Sequence, residues 1–174
     1  ASNLIDVPVL IKLHATDPSS INIDYSRTQD SGQDLRFLDT NGVLLAHEIE
    51  SWDETGFSYV WVRVPQIDGG STSDSIWMYY DHATFDAGQT AAVVWQSDDL
   101  AVLHMNGTVL DSSGQGNHGG QVDVVSVTGI IGGAGGFNNS SSFVTLGSDS
   151  SLDDVFEGGG TISAWINPDS WGEN

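Results

Sequence analysis

Residues 57–64, Phe-Ser-Tyr-Val-Trp-Val-Arg-Val, alternate between two kinds of side chain, and this alternation restricts the fold more than any other feature. Successive side chains of a β-strand point to opposite faces, so alternate positions share a face. One face would carry Val60, Val62 and Val64, and the other Tyr59, Trp61 and Arg63. The valine face is predicted to line a core. The aromatic face is predicted to be a half-buried sandwich face or a domain interface, with sugar stacking as the alternative.

Short β-prone segments separated by turn residues recur along the chain. They lie at residues 6–14, 35–38, 43–49, 75–80, 122–127 and 161–166, the last being predicted as a core strand. The tetrapeptide Asp39-Thr-Asn-Gly42 predicts a hairpin turn, and the glycine-rich residues 129–136 predict a loop. With 21 glycines and no long helical periodicity, the sequence predicts an all-β fold.

The charge of the chain excludes several classes of partner. Four Lys and Arg residues face 24 Asp and Glu residues, which gives a formal net charge of −20. Phosphate backbones and anionic lipid surfaces need a basic surface, so nucleic acid and charged membranes are disfavoured. The chain has no cysteine, which excludes disulfides and thiolate metal sites. No apolar run reaches the length of a membrane span, so direct membrane insertion is not expected.

Residues 111–119, Asp-Ser-Ser-Gly-Gln-Gly-Asn-His-Gly, form a candidate cation loop. Asp111 offers a carboxylate and Asn117 an amide oxygen, while the glycines let the backbone approach a ligand closely. Calcium prefers oxygen ligands of this kind. The alternative, left equally open, is a tight turn in which Asp111 and the serines bond their own backbone.

Five blocks after residue 99 resemble the laminin-G-like, concanavalin A-like jelly-roll family. They are residues 100–106, 111–119, 133–137, 143–146 and 160–166, in the order of that family. The resemblance implies a two-sheet β-sandwich with a structural calcium, used for binding carbohydrate or protein outside the cell. It also implies Asp111 as a side-chain ligand, with Gly114, Asn117 and His118 as further metal ligands, mainly through carbonyl groups.

The resemblance to the laminin-G-like family covers residues 99–174 and stops in mid-domain. The late strand that carries another acidic calcium ligand in the family has no counterpart here, so an incomplete jelly roll is expected. Another chain, or a missing C-terminal segment, would complete it. An open sheet leaves unpaired strand edges that require such a partner.

Four earlier motifs resemble the DUF2341 family. They are Asp-Leu-Arg-Phe-Leu-Asp at 34–39, His-Glu-Ile-Glu-Ser-Trp at 47–52, Val-Trp-Val-Arg-Val-Pro at 60–65 and Ile-Trp-Met-Tyr-Tyr at 76–80. The resemblance spans residues 4–85 and implies a β-rich extracytoplasmic module of unassigned activity that often precedes a laminin-G-like domain. Asp81-His82 departs from the Gly-Asn that is common there. The predicted organisation is two β-sandwich modules in tandem: residues 1–85, a packed connector at 86–98, and residues 99–174.

Glu48 and Glu50 invite comparison with a glycosidase. Such enzymes need two carboxyl groups beside the scissile bond, and this pair would lie about 6.6 Å apart on one strand face. The third alternate position holds Trp52 rather than an acid, so no enzyme activity is predicted. His104, in a predicted strand, is interpreted as a satisfied core or interface residue.

The combined prediction is a non-catalytic binding or adhesion protein outside the cell or on its surface, with the periplasm as the alternative location. Its partner would be a glycan or a surface protein, and calcium would fix its loops. The alternative is a structural β-sandwich subunit of a surface layer, a filament or a channel-associated assembly. DUF2341 tandems occur in some proteins resembling the MotA/TolQ/ExbB family, which suggests the last of these.

Overall fold

The computed structural model describes residues 2–138, 140–153 and 155–169, and these form an all-β fold. The strands are β1 Leu4–His14, β2 Ile21–Asn22, β3 Arg36–Leu38, β4 Leu44–Leu45, β5 His47–Ser51, β6 Ser58–Ile67, β7 Trp77–Tyr79, β8 Gly120–Val122, β9 Val125–Thr128, β10 Gly133–Gly136 and β11 Phe143–Thr145. Two 3₁₀ turns, Tyr25–Arg27 and Ala91–Val93, complete the set. The described part contains no helix long and apolar enough to cross a membrane. The predicted fold class is confirmed.

Two sheets pack face to face in the first part of the chain. One sheet has the strand order β2-β1-β6-β5 and the other β4-β3-β7. Their inner faces share one core of buried side chains: Leu13, Ile23, Tyr25, Leu35, Phe37, Leu45, Val60 and Val62. Each fully buried aliphatic or aromatic side chain contributes about 1.5–3 kcal/mol of burial free energy. Val60 and Val62 are completely buried, so the predicted valine face does line the core.

Strand β6 pairs with two neighbours in the first sheet. It pairs antiparallel with β1 from Leu4↔Ile67 to Leu13↔Ser58, and on its other side with β5. The β5 register shifts between Ile49 and Ser51, so Glu50 lies at a bulge, which re-aims a side chain. The outer face of β5 and β6 therefore carries acidic and indole side chains rather than core residues.

The connector covers the free edge of β5. Thr90 donates its backbone N–H to the His47 carbonyl at 2.8 Å, and Gln89 Oε1 accepts from the Ile49 N–H at 3.0 Å. These bonds satisfy edge groups that would otherwise be open to pairing with another strand. Val94 is fully buried, whereas Val93 is half exposed.

Two short ribbons follow the connector, β8 with β11 and β9 with β10. The prediction of a loop at residues 129–136 is wrong for the second half of that range, because Gly133–Gly136 is strand β10. A Cβ on Gly133 would lie 2.7 Å from Asn106 Cα, and one on Gly136 would lie 2.9 Å from Val127 Cγ1. Here glycine allows close packing of the strand instead of breaking it.

The prediction of a core strand at residues 161–166 is also wrong. These residues pair with no strand in the described part of the chain, and Trp165 is 93% exposed. A β-prone sequence forms a strand only where a neighbour supplies the hydrogen-bond ladder. Residues 170–174 of the predicted second module lie outside the described residues.

Candidate functional site

The outer face of the first sheet meets the segment that follows the connector. Strand β5 projects Glu48 and Glu50 from the side opposite the core, and β6 projects Trp61 beside them. The connector brings Trp95 over this face, and the following segment brings His104 and Ser112. We call these six residues the junction cluster.

His104 lies between the two carboxylates of the junction cluster. Its Nε2 is 3.3 Å from Glu48 Oε2, an ion pair without the direction of a good hydrogen bond, and its Nδ1 contacts Glu50 Oε2. Its side chain is 13% exposed, against 11% and 3% for Glu48 and Glu50. The three side chains therefore form a charged network that is largely withdrawn from water.

Neutral donors complete the coordination of the carboxylates. Trp95 Nε1 donates to Glu48 Oε2 at 2.9 Å, and Ser112 Oγ donates to Glu48 Oε1 at 2.6 Å. Trp61 Nε1 donates to Glu50 Oε2 at 3.1 Å. The Trp61 and Trp95 rings pack at a centroid distance of 5.2 Å and cover the charges. A buried ion pair of this kind is retained only when its remaining polar atoms are also bonded.

The surroundings shift two pKa values in opposite directions. Burial alone would lower the pKa of His104, but the hydrogen bonds and charges of Glu48 and Glu50 outweigh it and raise that pKa to about 9. Burial acts to raise the pKa of Glu48, yet the adjacent His104 imidazolium and the hydrogen bonds from Ser112 and Trp95 lower it overall. The imidazolium and the Glu48 carboxylate are therefore both charged at neutral pH.

The junction cluster joins strand β5 to the connector and to the segment that follows it. Hydrolysis of a glycosidic bond needs carboxyl groups that reach the substrate and a water molecule, whereas Glu48 and Glu50 are buried and bonded. The contacts place His104 at an interface, as predicted, but it lies in no strand and its Nε2 has no well-formed hydrogen bond. The role of the glutamates was missed, although they lie on the same sheet face as the predicted interface residue Trp61, which was a usable signal.

The predicted calcium loop is organised around the Asp111 carboxylate. Its Oδ1 accepts from the backbone N–H groups of Val102 at 2.9 Å and Ser113 at 2.8 Å. Its Oδ2 accepts from Ser113 Oγ at 2.8 Å and the Asn117 N–H at 2.9 Å. Burial raises the Asp111 pKa, but these bonds outweigh it and lower that pKa. Both oxygens are fully used inside the protein.

The other three predicted ligands lie in the same loop with different contacts. Asn117 is buried, and its Nδ2 donates to the Leu100 carbonyl at 2.7 Å. His118 Nδ1 accepts from the Asp111 N–H at 3.0 Å. Gly114 has a φ of 86°, and a Cβ there would lie 2.7 Å from the Ala92 carbonyl oxygen, so glycine is required.

The structure thus brings the four predicted ligand residues into one hydrogen-bonded loop. No group of three or more His, Asp or Glu side chains is placed to hold a metal in the described residues. Calcium binding at Asp111, Gly114, Asn117 and His118 remains a prediction. The loop is continuous with the junction cluster, because Ser112 donates to Glu48 immediately after Asp111.

The fold and the junction cluster define an all-β protein with a two-sheet sandwich fastened to a following segment. Within it, residues 31–112 match the family described as Domain of unknown function (DUF2341). The match covers just under half of the chain and contains the whole junction cluster. It confirms the DUF2341 resemblance. The matched range, residues 31–112, begins and ends later than the range of the predicted resemblance, residues 4–85. The domain boundaries at residues 85 and 98 therefore stay a prediction.

The laminin-G-like resemblance has no support from these comparisons. Neither the curated proteins nor the solved structures gave a match to the chain.

Proposed function

We propose that the protein is a non-catalytic binding or adhesion module of a protein located outside the cell or on its surface, or in the periplasm. The observation that carries this proposal is the use made of Glu48 and Glu50. The acid pair best suited by spacing to hydrolysis is buried at the junction and bonded to His104, Trp61, Trp95 and Ser112. These carboxylates join the sandwich to the following segment, and this use supports a non-catalytic role.

The ligand in this proposal is a glycan or a surface protein. A net charge of −20 repels nucleic acid and anionic lipid and supports solubility in a medium containing salt. The laminin-G-like character of the later residues belongs to the same proposal, with calcium as a structural ion at the 111–119 loop. A cation there would have to replace at least one hydrogen-bond donor to Asp111, because both oxygens already accept two.

Retention on immobilised polysaccharides, measured with calcium and then with chelator, tests this proposal. Release of reducing sugar is measured in the same samples. We expect saturable retention without product release. Product release that disappears in Glu48→Gln or Glu50→Gln variants of unchanged melting temperature would contradict the non-catalytic assignment.

A structural subunit is the second candidate, and a specific observation favours it. Apolar side chains after the connector are strongly exposed, including Ile130 at 80% and Ile162 at 81%. Surfaces of this kind mark places where another chain packs. Sedimentation velocity over a range of protein and calcium concentrations separates the candidates: a binding module stays monomeric, while a subunit assembles as concentration rises.

A further inference from the structure

Strand β7 presents two aromatic side chains to solvent. Met78 packs against the core, whereas Trp77 and Tyr79, on the opposite face, are 58% and 55% exposed. The register places Leu38 beside Trp77 and Arg36 beside Tyr79, and Leu38 also pairs with the exposed Leu44 of β4. We call these five residues the outer aromatic face.

The face rests on a well-packed sheet. Phe37 and Leu45, which alternate with the outer residues on β3 and β4, are buried in the sandwich core. The connecting turn is the predicted one: Asp39 Oδ1 accepts from the N–H groups of Asn41 and Val43, each at 2.8 Å, and Gly42 has a φ of 80°. The backbone under the outer aromatic face is therefore fixed by the buried side chains and by the turn. The core does not depend on Trp77 and Tyr79.

The polar ends of the two aromatic side chains are free. Neither Trp77 Nε1 nor the Tyr79 hydroxyl forms a hydrogen bond with any described residue. In the junction cluster, by contrast, the indole N–H groups of Trp61 and Trp95 donate to buried carboxylates. An aromatic ring with an apolar face and an unused donor at its edge suits a ligand that offers both apolar C–H surface and hydroxyl groups.

The outer aromatic face is nearly uncharged in a chain of net charge −20. None of its five residues carries a carboxylate, so the face offers a basic partner no acid of its own. Its one charged group is the Arg36 guanidinium, which donates to the carbonyls of Gln33, Leu35 and Asp86 at 2.7–2.9 Å. An anionic ligand meets the repulsion of the whole protein. The charge pattern therefore fits an uncharged ligand.

We propose that the outer aromatic face binds a neutral polysaccharide, whose sugar rings stack on Trp77 and Tyr79. The proposal rests on the proposed function and names its ligand class and its surface. The two residues are about 6.6 Å apart along the strand, so one extended glycan chain reaches both. The apolar C–H faces of the sugars cover the rings, and their hydroxyl groups bond the Trp77 N–H and the Tyr79 hydroxyl.

Affinity electrophoresis of the intact protein in gels containing a polysaccharide tests the proposal. The probes are neutral (a β-glucan, a xylan and a galactomannan) and acidic (alginate and polygalacturonate). We expect retardation by at least one neutral probe. Trp77→Ala and Tyr79→Ala should each weaken it by about tenfold or more, as expected for aromatic residues at the centre of a binding surface. Tyr79→Phe should lose only the hydrogen bond and weaken it by a few-fold.

Trp165→Ala is the matched control, because Trp165 is an exposed tryptophan outside the face. Its retardation should equal that of the wild type, and all variants should keep the wild-type melting temperature. Neutral binding that survives Trp77→Ala and Tyr79→Ala would overturn the site and leave the proposed function standing. Retardation by the acidic probes alone, or capture of a protein through this face without glycan binding, would overturn the ligand class. Absence of retardation by every probe would overturn the inference.

Discussion

At the scale of single residues, His47 is the least well satisfied group of the core. It is 1% exposed beside Phe37, with ring centroids 5.3 Å apart, and neither ring nitrogen has a well-formed hydrogen bond to a described residue. Burial and the nearby Arg36 charge lower its pKa to about 4, with a small opposing contribution from the Leu45 backbone. A neutral imidazole without a partner costs about 1–3 kcal/mol in an apolar core.

Replacing His47 with leucine should therefore stabilise the protein. The His47 pKa is depressed below its ordinary 6.5, so the neutral form is favoured by folding, and stability is lost as pH falls from 6.5 toward 4. We expect His47→Leu to gain about 1–3 kcal/mol at pH 7 and more at pH 5. Urea unfolding at pH 7, 6 and 5 measures this.

The exposed His82 provides the control, since His82→Gln removes an imidazole without changing the core. Its unfolding free energy should follow the wild-type pH dependence. A His47→Leu protein that loses stability at every pH would mean that the imidazole has a bonded role in the core.

At the scale of elements, the 111–119 loop depends on a single carboxylate. Asp111→Asn keeps the size of the side chain but turns one acceptor oxygen into a donor, which then faces the N–H of Val102, Ser113 or Asn117. We expect a loss of about 2–3 kcal/mol even in chelator, because buried donors lose a charged acceptor. Thermal unfolding of both proteins in chelator measures it.

The same pair of proteins tests the calcium prediction. If calcium takes Asp111 as a ligand, added calcium raises the melting temperature of the wild type by an amount set by its concentration relative to the dissociation constant. Asp111→Asn should then respond much less. Equal responses of the two proteins to calcium would contradict a site at Asp111.

Sequence periodicity identified the elements whose two faces differ strongly. Strand β6 was predicted with its valines inward because strict alternation leaves one choice of face. Strand β10 was missed because its glycines carry no pattern, and its formation depends on close packing against Asn106. Residues 161–166 show the converse, since a β-prone sequence does not by itself supply a pairing partner. The shared face of Glu48, Glu50 and Trp61 could be read from strand alternation, but their contact with His104 could not, because no local pattern records a pairing across that chain separation.

At the scale of the whole molecule, the junction cluster couples the sandwich to the chain after the connector. His104 and Ser112 reach Glu48 and Glu50 on β5, and Trp95 lies over them. The match to DUF2341 at residues 31–112 contains all of these groups. A segment held this way should unfold together with the sandwich as one cooperative unit.

The pH dependence of this coupling follows from His104. Its folded pKa of about 9 lies above the ordinary 6.5, so its contribution is complete below pH 6.5 and is lost as pH rises toward 9. We expect the wild type to lose up to about 3 kcal/mol over this range.

His104→Gln should be less stable than the wild type at pH 6, because two buried carboxylates lose their cation. Its free energy of unfolding should be nearly independent of pH between 6.5 and 9. Amide hydrogen exchange should rise selectively in residues 99–112. His82→Gln is again the control, and a His104→Gln protein that keeps the wild-type decline would show that another group sets the alkaline limit.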